Sequence, residues 1–257
     1  MPAVTREQVE GALRDVVDPF LETDLVSSRS VKDIEVADGK VTVRVLLGYP
    51  AKSHFDALAE LVKARVAALP GVSSVAVEVT SKVVSHAVQK GVQPMKDVKN
   101  IIAVASGKGG VGKSTVAVNL ALALSQEGAR VGILDADIYG PSQPRMLGMH
   151  QKPESKDGQS LEPIVSYQIQ SMSIGYLIDE ETPMIWRGPM VTQALEQLLK
   201  DTNWRDLDYL IIDLPPGTGD IQLTLAQKIP VSGAVIVTTP QDIALLDARK
   251  GLKMFEK

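Results

Sequence analysis

Gly107-Lys108-Gly109-Gly110-Val111-Gly112-Lys113-Ser114-Thr115 is the stretch whose reading decides the fold. The apolar run Ile101-Ile102-Ala103-Val104-Ala105 precedes it and reads as a buried strand, and the helix formers from Val116 to Leu124 follow it. Strand, glycine-rich turn and helix form the setting of a phosphate-binding loop, and G-x-x-x-x-G-K-[ST] is complete here. Glycines let the backbone curl so that several N–H groups point at one anion. The helix N-terminus adds its own unpaired donors and the positive end of its dipole. All nine residues, 107–115, are therefore candidates for nucleotide binding. Lys113 can reach the β- and γ-phosphates, and the Ser114 hydroxyl can ligate Mg2+. Lys108, between the outer glycines, is either a solvated lysine or a second cation aimed at phosphates, those of a neighbouring subunit included.

Outward from the loop, Val131-Gly132-Ile133-Leu134 is a short apolar run that ends in Asp135-Ala136-Asp137. Open α/β sheets place their ligands at the carboxyl ends of the strands, and acids one residue apart share a side of an extended segment. The pair can hold metal-bound water or orient an attacking water, and Asp135 is taken as a metal-site residue. Tyr209-Leu210-Ile211-Ile212-Asp213 is an apolar strand ending in an acid, the Walker B pattern, in which Asp213 would hold Mg2+ through water. The loop Asp213-Leu214-Pro215-Pro216-Gly217-Thr218-Gly219-Asp220 follows. Gly217, with a free N–H and no side chain, can approach a γ-phosphate, and loops of this kind switch between nucleotide states. Ile169 to Ile174 reads as a strand. Pro189 starts a helix whose apolar face is Val191, Leu195, Leu198 and Leu199. Arg187 is either a surface charge or reaches the site or a partner. Ala234-Val235-Ile236-Val237 reads as one more buried strand, and a last helix runs from about Ala244 to Lys257.

The N-terminal third has a different pattern. Thr5-Arg6-Glu7-Gln8 fits a capping box, and Val9, Leu13, Val16 and Val17 repeat at helical spacing up to Asp18-Pro19. Asp18 reads as a turn residue. Asp38-Gly39 is a hairpin signal between Ile34 and Val36 on one side and Val41, Val43, Val45 and Leu47 on the other. Ser53 can cap a second helix carrying Phe55, Leu58, Val62, Val66 and Leu69, and Val75, Val77 and Val79 alternate as a third strand. The expected organisation is a small α+β domain over 1–81, a linker over 82–99 and an α/β domain over 100–257. The first of these shows no catalytic constellation and reads as a docking domain large enough to fold alone.

Composition narrows the classes. With 257 residues, 44% hydrophobic and 23% charged, the chain can bury a sizeable core. No apolar stretch approaches the roughly 18 residues of a membrane span, and the N-terminus lacks signal-peptide order. A cytoplasmic protein with no membrane partner is expected. The net charge of −4 argues against a nucleic-acid partner. There is no cysteine, and His54, His86 and His150 show no metal-ligand spacing.

The form Gly-Lys-Gly-Gly-Val-Gly-Lys-Ser-Thr resembles the deviant Walker A loop of the MinD/ParA class of P-loop ATPases, which favours the second reading of Lys108. Longer strings add to it: Val98-Lys99-Asn100-Ile101, Leu134-Asp135-Ala136-Asp137-Ile138-Tyr139-Gly140-Pro141-Ser142, Trp186-Arg187-Gly188-Pro189-Met190, the loop from Asp213 to Asp220, and Thr238-Thr239-Pro240-Gln241-Asp242. Together they resemble the bacterial Mrp/ApbC iron–sulfur cluster carrier ATPases, whose accessory domain the N-terminal unit resembles. That resemblance implies a P-loop NTPase fold of the SIMIBI/MinD-like type with a mostly parallel sheet. It implies ATP and Mg2+ as cofactors, ATP hydrolysis, a homodimer, and cluster delivery to apo iron–sulfur proteins alongside cluster-assembly scaffolds. Lys108 matches the signature lysine, Lys113 the phosphate-binding lysine and Ser114 the Mg2+ ligand. Asp137 matches the water-positioning acid and Asp213 the Walker B acid. Members of that family continue with a strand, an adenine-contacting residue and a Cys-x-x-Cys pair. The chain is therefore expected to be a fragment, with a 4Fe-4S cluster only in the full-length protein. The competing expectation is a MinD/ParA-like spatial or partitioning regulator.

Overall fold

A computed structural model describes residues 3–88, 92–178 and 188–256. The chain divides into two compact units, Met1–Val84 and Ser85–Lys257.

The first unit opens with α1 (Arg6–Leu13), started by the expected capping box: Thr5 Oγ1 accepts from the Gln8 amide, and the Gln8 side chain accepts from the Thr5 amide. The helix ends earlier than the apolar spacing predicts. Val16 is buried, but Val17 is half exposed and begins β1 (Val17–Asp18), which pairs with β2 (Thr23–Asp24). Asp18 is a turn residue: its buried carboxylate accepts from the Phe20 and Leu21 amides and from the Tyr49 hydroxyl at 2.6 Å. The hairpin β3 (Val31–Ala37) and β4 (Lys40–Leu47) turns at Asp38 and Gly39, both with positive φ, as a primed two-residue turn requires. A short 3-10 turn (Lys52–His54) leads into α2 (Phe55–Ala67). Ser53 therefore lies inside that turn, and His54 occupies the N-cap without a side-chain capping bond. β5 (Ser74–Ser81) then pairs parallel to β4, giving the order β3-β4-β5. Val41, Val43, Val45 and Leu47 alternate into a core that meets Leu13 of α1 and Leu58, Val62 and Val66 of α2.

The second unit is a six-stranded sheet with helices. Its elements are β6 (Val98–Ser106), α3 (Lys113–Gln126), β7 (Val131–Asp135), α4 (Gln143–Met146), β8 (Ile164–Ser166), β9 (Ile169–Ser173), α5 (Gly188–Asp201), β10 (Leu207–Asp213), α6 (Asp220–Lys228), β11 (Gly233–Val237) and α7 (Asp242–Phe255). The sheet order is β11-β6-β10-β7-β9-β8, and every pairing is parallel except β8 with β9. β6 starts at Val98, inside the stretch read as a linker, and His86 is tied to Asn100 through its backbone and ring nitrogens. β8, α4 and α6 are elements that the sequence patterns do not predict. β11 departs from its expectation of full burial. It lies at the sheet edge with β6 as its partner, and Val235 is 37% exposed. The α5 face is as expected: Val191, Leu195, Leu198 and Leu199 are buried. Arg187 lies outside the described residues.

One polar cluster ties three central strands at their amino ends. Asp208, the second residue of β10, accepts from Lys99 of β6 at 2.7 Å and from the Arg130 amide at 2.9 Å, just before β7. The Arg130 guanidinium adds contacts at 3.1 and 3.2 Å. Burial pushes the Asp208 carboxyl up, but these donors outweigh it and hold it at about 2.

Candidate nucleotide-binding site

The loop at 107–112 leaves β6 and enters α3 with Gly110 at φ +76° and Gly112 at φ +88°. These are left-handed conformations that cost a glycine nothing. A Cβ on Gly109, Gly110 or Gly112 would meet no atom within 4 Å, so the concave side of the loop is open. Gly107 is glycine for another reason: a Cβ there would lie 2.6 Å from the Asp247 Cβ, because α7 packs against the loop's entrance. Among the described residues, the backbone N–H groups of Gly109 to Thr115 have no acceptor in the protein, whereas the Val116 amide closes the first turn on Gly112. A run of unpaired donors around an open turn at a helix N-terminus is built to take an anion. The residues present fit a nucleotide phosphate.

Sheet register sets the acids beside it. Asp213 ends β10 opposite Asp135 of β7 on one side and Val104 of β6 on the other. Equivalent positions on adjacent strands share a face, so pairing alone brings the two carboxylates together. Asp213 is fully buried, with one oxygen on Lys113 Nζ and the other 2.8 Å from Gln143 Nε2. Lys113 Nζ also lies 3.2 Å from Ser114 Oγ and 3.8 Å from Asp137. Lys113, Ser114, Asp137 and Asp213 thus form one group.

Asp135, read as a metal-site residue, ties its own loop. Its oxygens accept from the amides of Asp137 at 3.1 Å, Ser142 at 2.9 Å and Gln143 at 3.0 Å, and from Ser173 Oγ at 3.2 Å. The carboxylate closes the loop from 137 to 143 and caps α4. Burial pushes it up to about 7 against the pull of the Gln143 amide. Burial also raises Asp137, and Lys113 pulls it back. Of the two acids after β7, Asp137, in the turn beyond the strand, is the one that faces the lysine.

Gly217 also differs. Its N–H, read as free, donates to the Ser106 carbonyl at 2.8 Å, which fastens the loop after β10 to the end of β6. Its φ of +108° keeps it a glycine position. Lys108 is exposed, and its carbonyl accepts from Ser106 Oγ. Gln143 was invisible to motif reading, since a glutamine between Ser142 and Pro144 carries no pattern. No three His, Cys, Asp or Glu side chains among the described residues are grouped to hold a metal by themselves.

Known proteins resemble the chain over both units. The NUBPL iron-transfer P-loop NTPase family matches residues 97–257, and the iron-sulfur cluster assembly protein family matches residues 6–79. An iron-sulfur cluster carrier protein of Escherichia coli is 49% identical over 257 residues, all of this chain and 70% of that protein. A protein of the same name from Synechocystis is 50% identical over 258 residues, covering 99% of this chain and 73% of that one. Among solved structures, a nucleotide-binding protein from Archaeoglobus fulgidus in complex with ADP is 42% identical, with a TM-score of 0.54 over 62% of each chain. The match at 97–257 exceeds half of the chain and contains the loop, both strand-end acids and the buried lysine, so the chain belongs to the NUBPL iron-transfer P-loop NTPases.

Proposed function

We propose that this chain is the ATP-binding and ATP-hydrolysing part of an iron–sulfur cluster carrier. The observation that carries the nucleotide half is the set of unpaired amides from Gly109 to Thr115 around an open turn, with Lys113 and Asp213 at its edge. The cargo half rests on relatives named as cluster carriers that match along the whole chain. This also separates the reading from a spatial regulator.

In this reading the loop amides hold the phosphates. Lys113 turns from Asp213 toward the β- and γ-phosphates. Ser114 Oγ and the Asp213 oxygen now on Lys113 would hold Mg2+, Asp213 through water. Asp137 orients the attacking water, and Lys108 reaches the phosphates of a second subunit in a homodimer. Mg2+ supplies charge neutralisation between the β- and γ-phosphates. Slow turnover follows if Lys108 completes the site only on dimerisation. The cluster is cargo, and this chain contains no cysteine to hold it. Soft iron–sulfur centres take thiolates, so no step is routed through a cluster on these residues; the ligands of a 4Fe-4S cluster lie outside them. Apo iron–sulfur proteins and cluster-assembly scaffolds are the partners, in the cytoplasm. No helix among the described residues is long and apolar enough to cross a membrane.

The test is paired. Phosphate release from ATP with and without Mg2+ reads the first half on this chain. Iron and acid-labile sulfide retained after anaerobic reconstitution, on this chain and on the full-length protein, reads the second. Mg2+-dependent release, no cluster on this chain and a cluster on the full-length protein are expected. A stoichiometric cluster on the cysteine-free chain would show that the ligands are misassigned.

A further inference from the structure

Gln143 is 1% exposed and sits where Ser114 and Asp213, two of the residues read as metal holders, meet. Its Nε2 donates to Asp213 Oδ2 at 2.8 Å and to the Ser114 carbonyl at 3.1 Å. Both partners are acceptors, so chemistry dictates which end of the amide faces them: the reverse orientation would set oxygen against oxygen. Oε1 must therefore point away. There it is buried with no donor among the described residues, and Ser142 Oγ, on the preceding residue, is also buried without a partner among them. A buried acceptor left unsatisfied is costly, and native proteins give it a protein group, a water or an ion's shell.

We propose that Gln143 is a positioning residue for the metal site. Its Nε2 holds Asp213 Oδ2 so that the other oxygen, given up by Lys113, faces the metal. The inference rests on the Mg2+–nucleotide reading above and extends it to a residue outside the phosphate loop and the Walker B strand. The side-chain amide orients a ligand of the site, as outer partners do in metal sites generally. Gln143 touches the phosphate loop only at the Ser114 carbonyl and none of its amides, whereas its bond to Asp213 acts on the metal's side of the site.

The experiment measures ADP affinity of the 257-residue chain by calorimetry in EDTA and again in excess Mg2+, for the wild type and Gln143→Leu. The quantity read is the ratio of the two affinities. The expected result is that Mg2+ tightens ADP binding in the wild type and that Gln143→Leu cuts this ratio about tenfold, the lower end of what outer-partner substitutions cost in metal sites. A merely structural role would lower both affinities together and leave the ratio unmoved, which would overturn the inference. Gln143→Met, which keeps the shape and lacks the amide, is read in the same way if the leucine variant does not fold. A wild type that binds ADP with a Mg2+ effect that both variants retain sinks the role of Gln143 alone. A wild type that binds no ADP sinks the nucleotide reading and this inference with it.

Discussion

Lys113 is a phosphate-loop lysine packed between carboxylates, with Asp213 in direct contact and Asp137 at 3.8 Å. Removing one partner of a buried pair leaves the other charge uncompensated, at a cost of about 3–5 kcal/mol. Lys113→Ala is therefore expected to abolish ADP binding and also to lower stability in the absence of nucleotide by about 3 kcal/mol, measured by urea denaturation. Lost binding with unchanged stability would show that the ion pair contributes nothing. Asp137 and Lys108 are expected to act on turnover. Asp137→Asn keeps the shape but weakens the pull on the attacking water, so phosphate release should fall while Mg2+–ADP affinity holds. A matched loss of both would make Asp137 a metal-site residue. If the protein pairs through the loop, Lys108→Ala should keep ATP binding and lose roughly 10³–10⁵ in hydrolysis, the range for a cation supplied in trans; unchanged turnover would leave it a solvated lysine. Motif spacing marks Lys113, Ser114 and Asp213 because the chemistry demands those types there. It could not say that Asp135 faces its own loop, since that depends on where the backbone from 137 to 143 returns.

Between elements, the site depends on strand registry, and the Asp208 cluster ties that registry at the opposite end of the same strands. The Asp208 carboxyl sits at about 2 when folded and near 3.9 in an unfolded chain. Its contribution is therefore complete above about pH 4 and is lost as pH falls toward 2, on the order of 2 kcal/mol in all. Asp208→Asn should remove most of that pH dependence and lower stability at neutral pH by a similar amount. A pH–stability curve from pH 2 to 7 for both proteins checks it, and superimposable curves would exclude the cluster as a determinant. The expected elements with strong periodicity, α5 and the hairpin of β3 and β4, were legible because one buried face imposes a period on the residues. α4 was not, because four residues cannot display a period; an Asp135 oxygen that its own segment does not predict caps it. Val17 shows the converse, since apolar spacing extended α1 past the point where the chain turned into β1.

At the scale of the molecule, Met1–Val84 has its own core, with both helices packed on a three-stranded sheet. A fragment ending at Val84 is expected to fold alone and to bind no ADP, since every loop amide and strand-end acid lies in the other unit. A dispersed amide spectrum with no change on ADP addition is the expected reading, and a collapsed spectrum would move the boundary. The chain spans 70% of the length of the Escherichia coli relative. By itself the sequence determined that a phosphate loop joins a buried strand to a helix, that two further strands end in acids, and that a separate α+β unit precedes them. Each of these is a local pattern, written in spacing and residue type. Only the tertiary structure decided which oxygen faces which partner. It turned Asp135 to its own loop, gave the Gly217 amide to Ser106, placed β11 at an edge and drove Gln143 between Ser114 and Asp213. Those outcomes depend on parallel registry and on chain segments returning from far away. The pairing that sets Asp213 beside Asp135 joins residues 78 apart in the chain, a relation that no local period encodes.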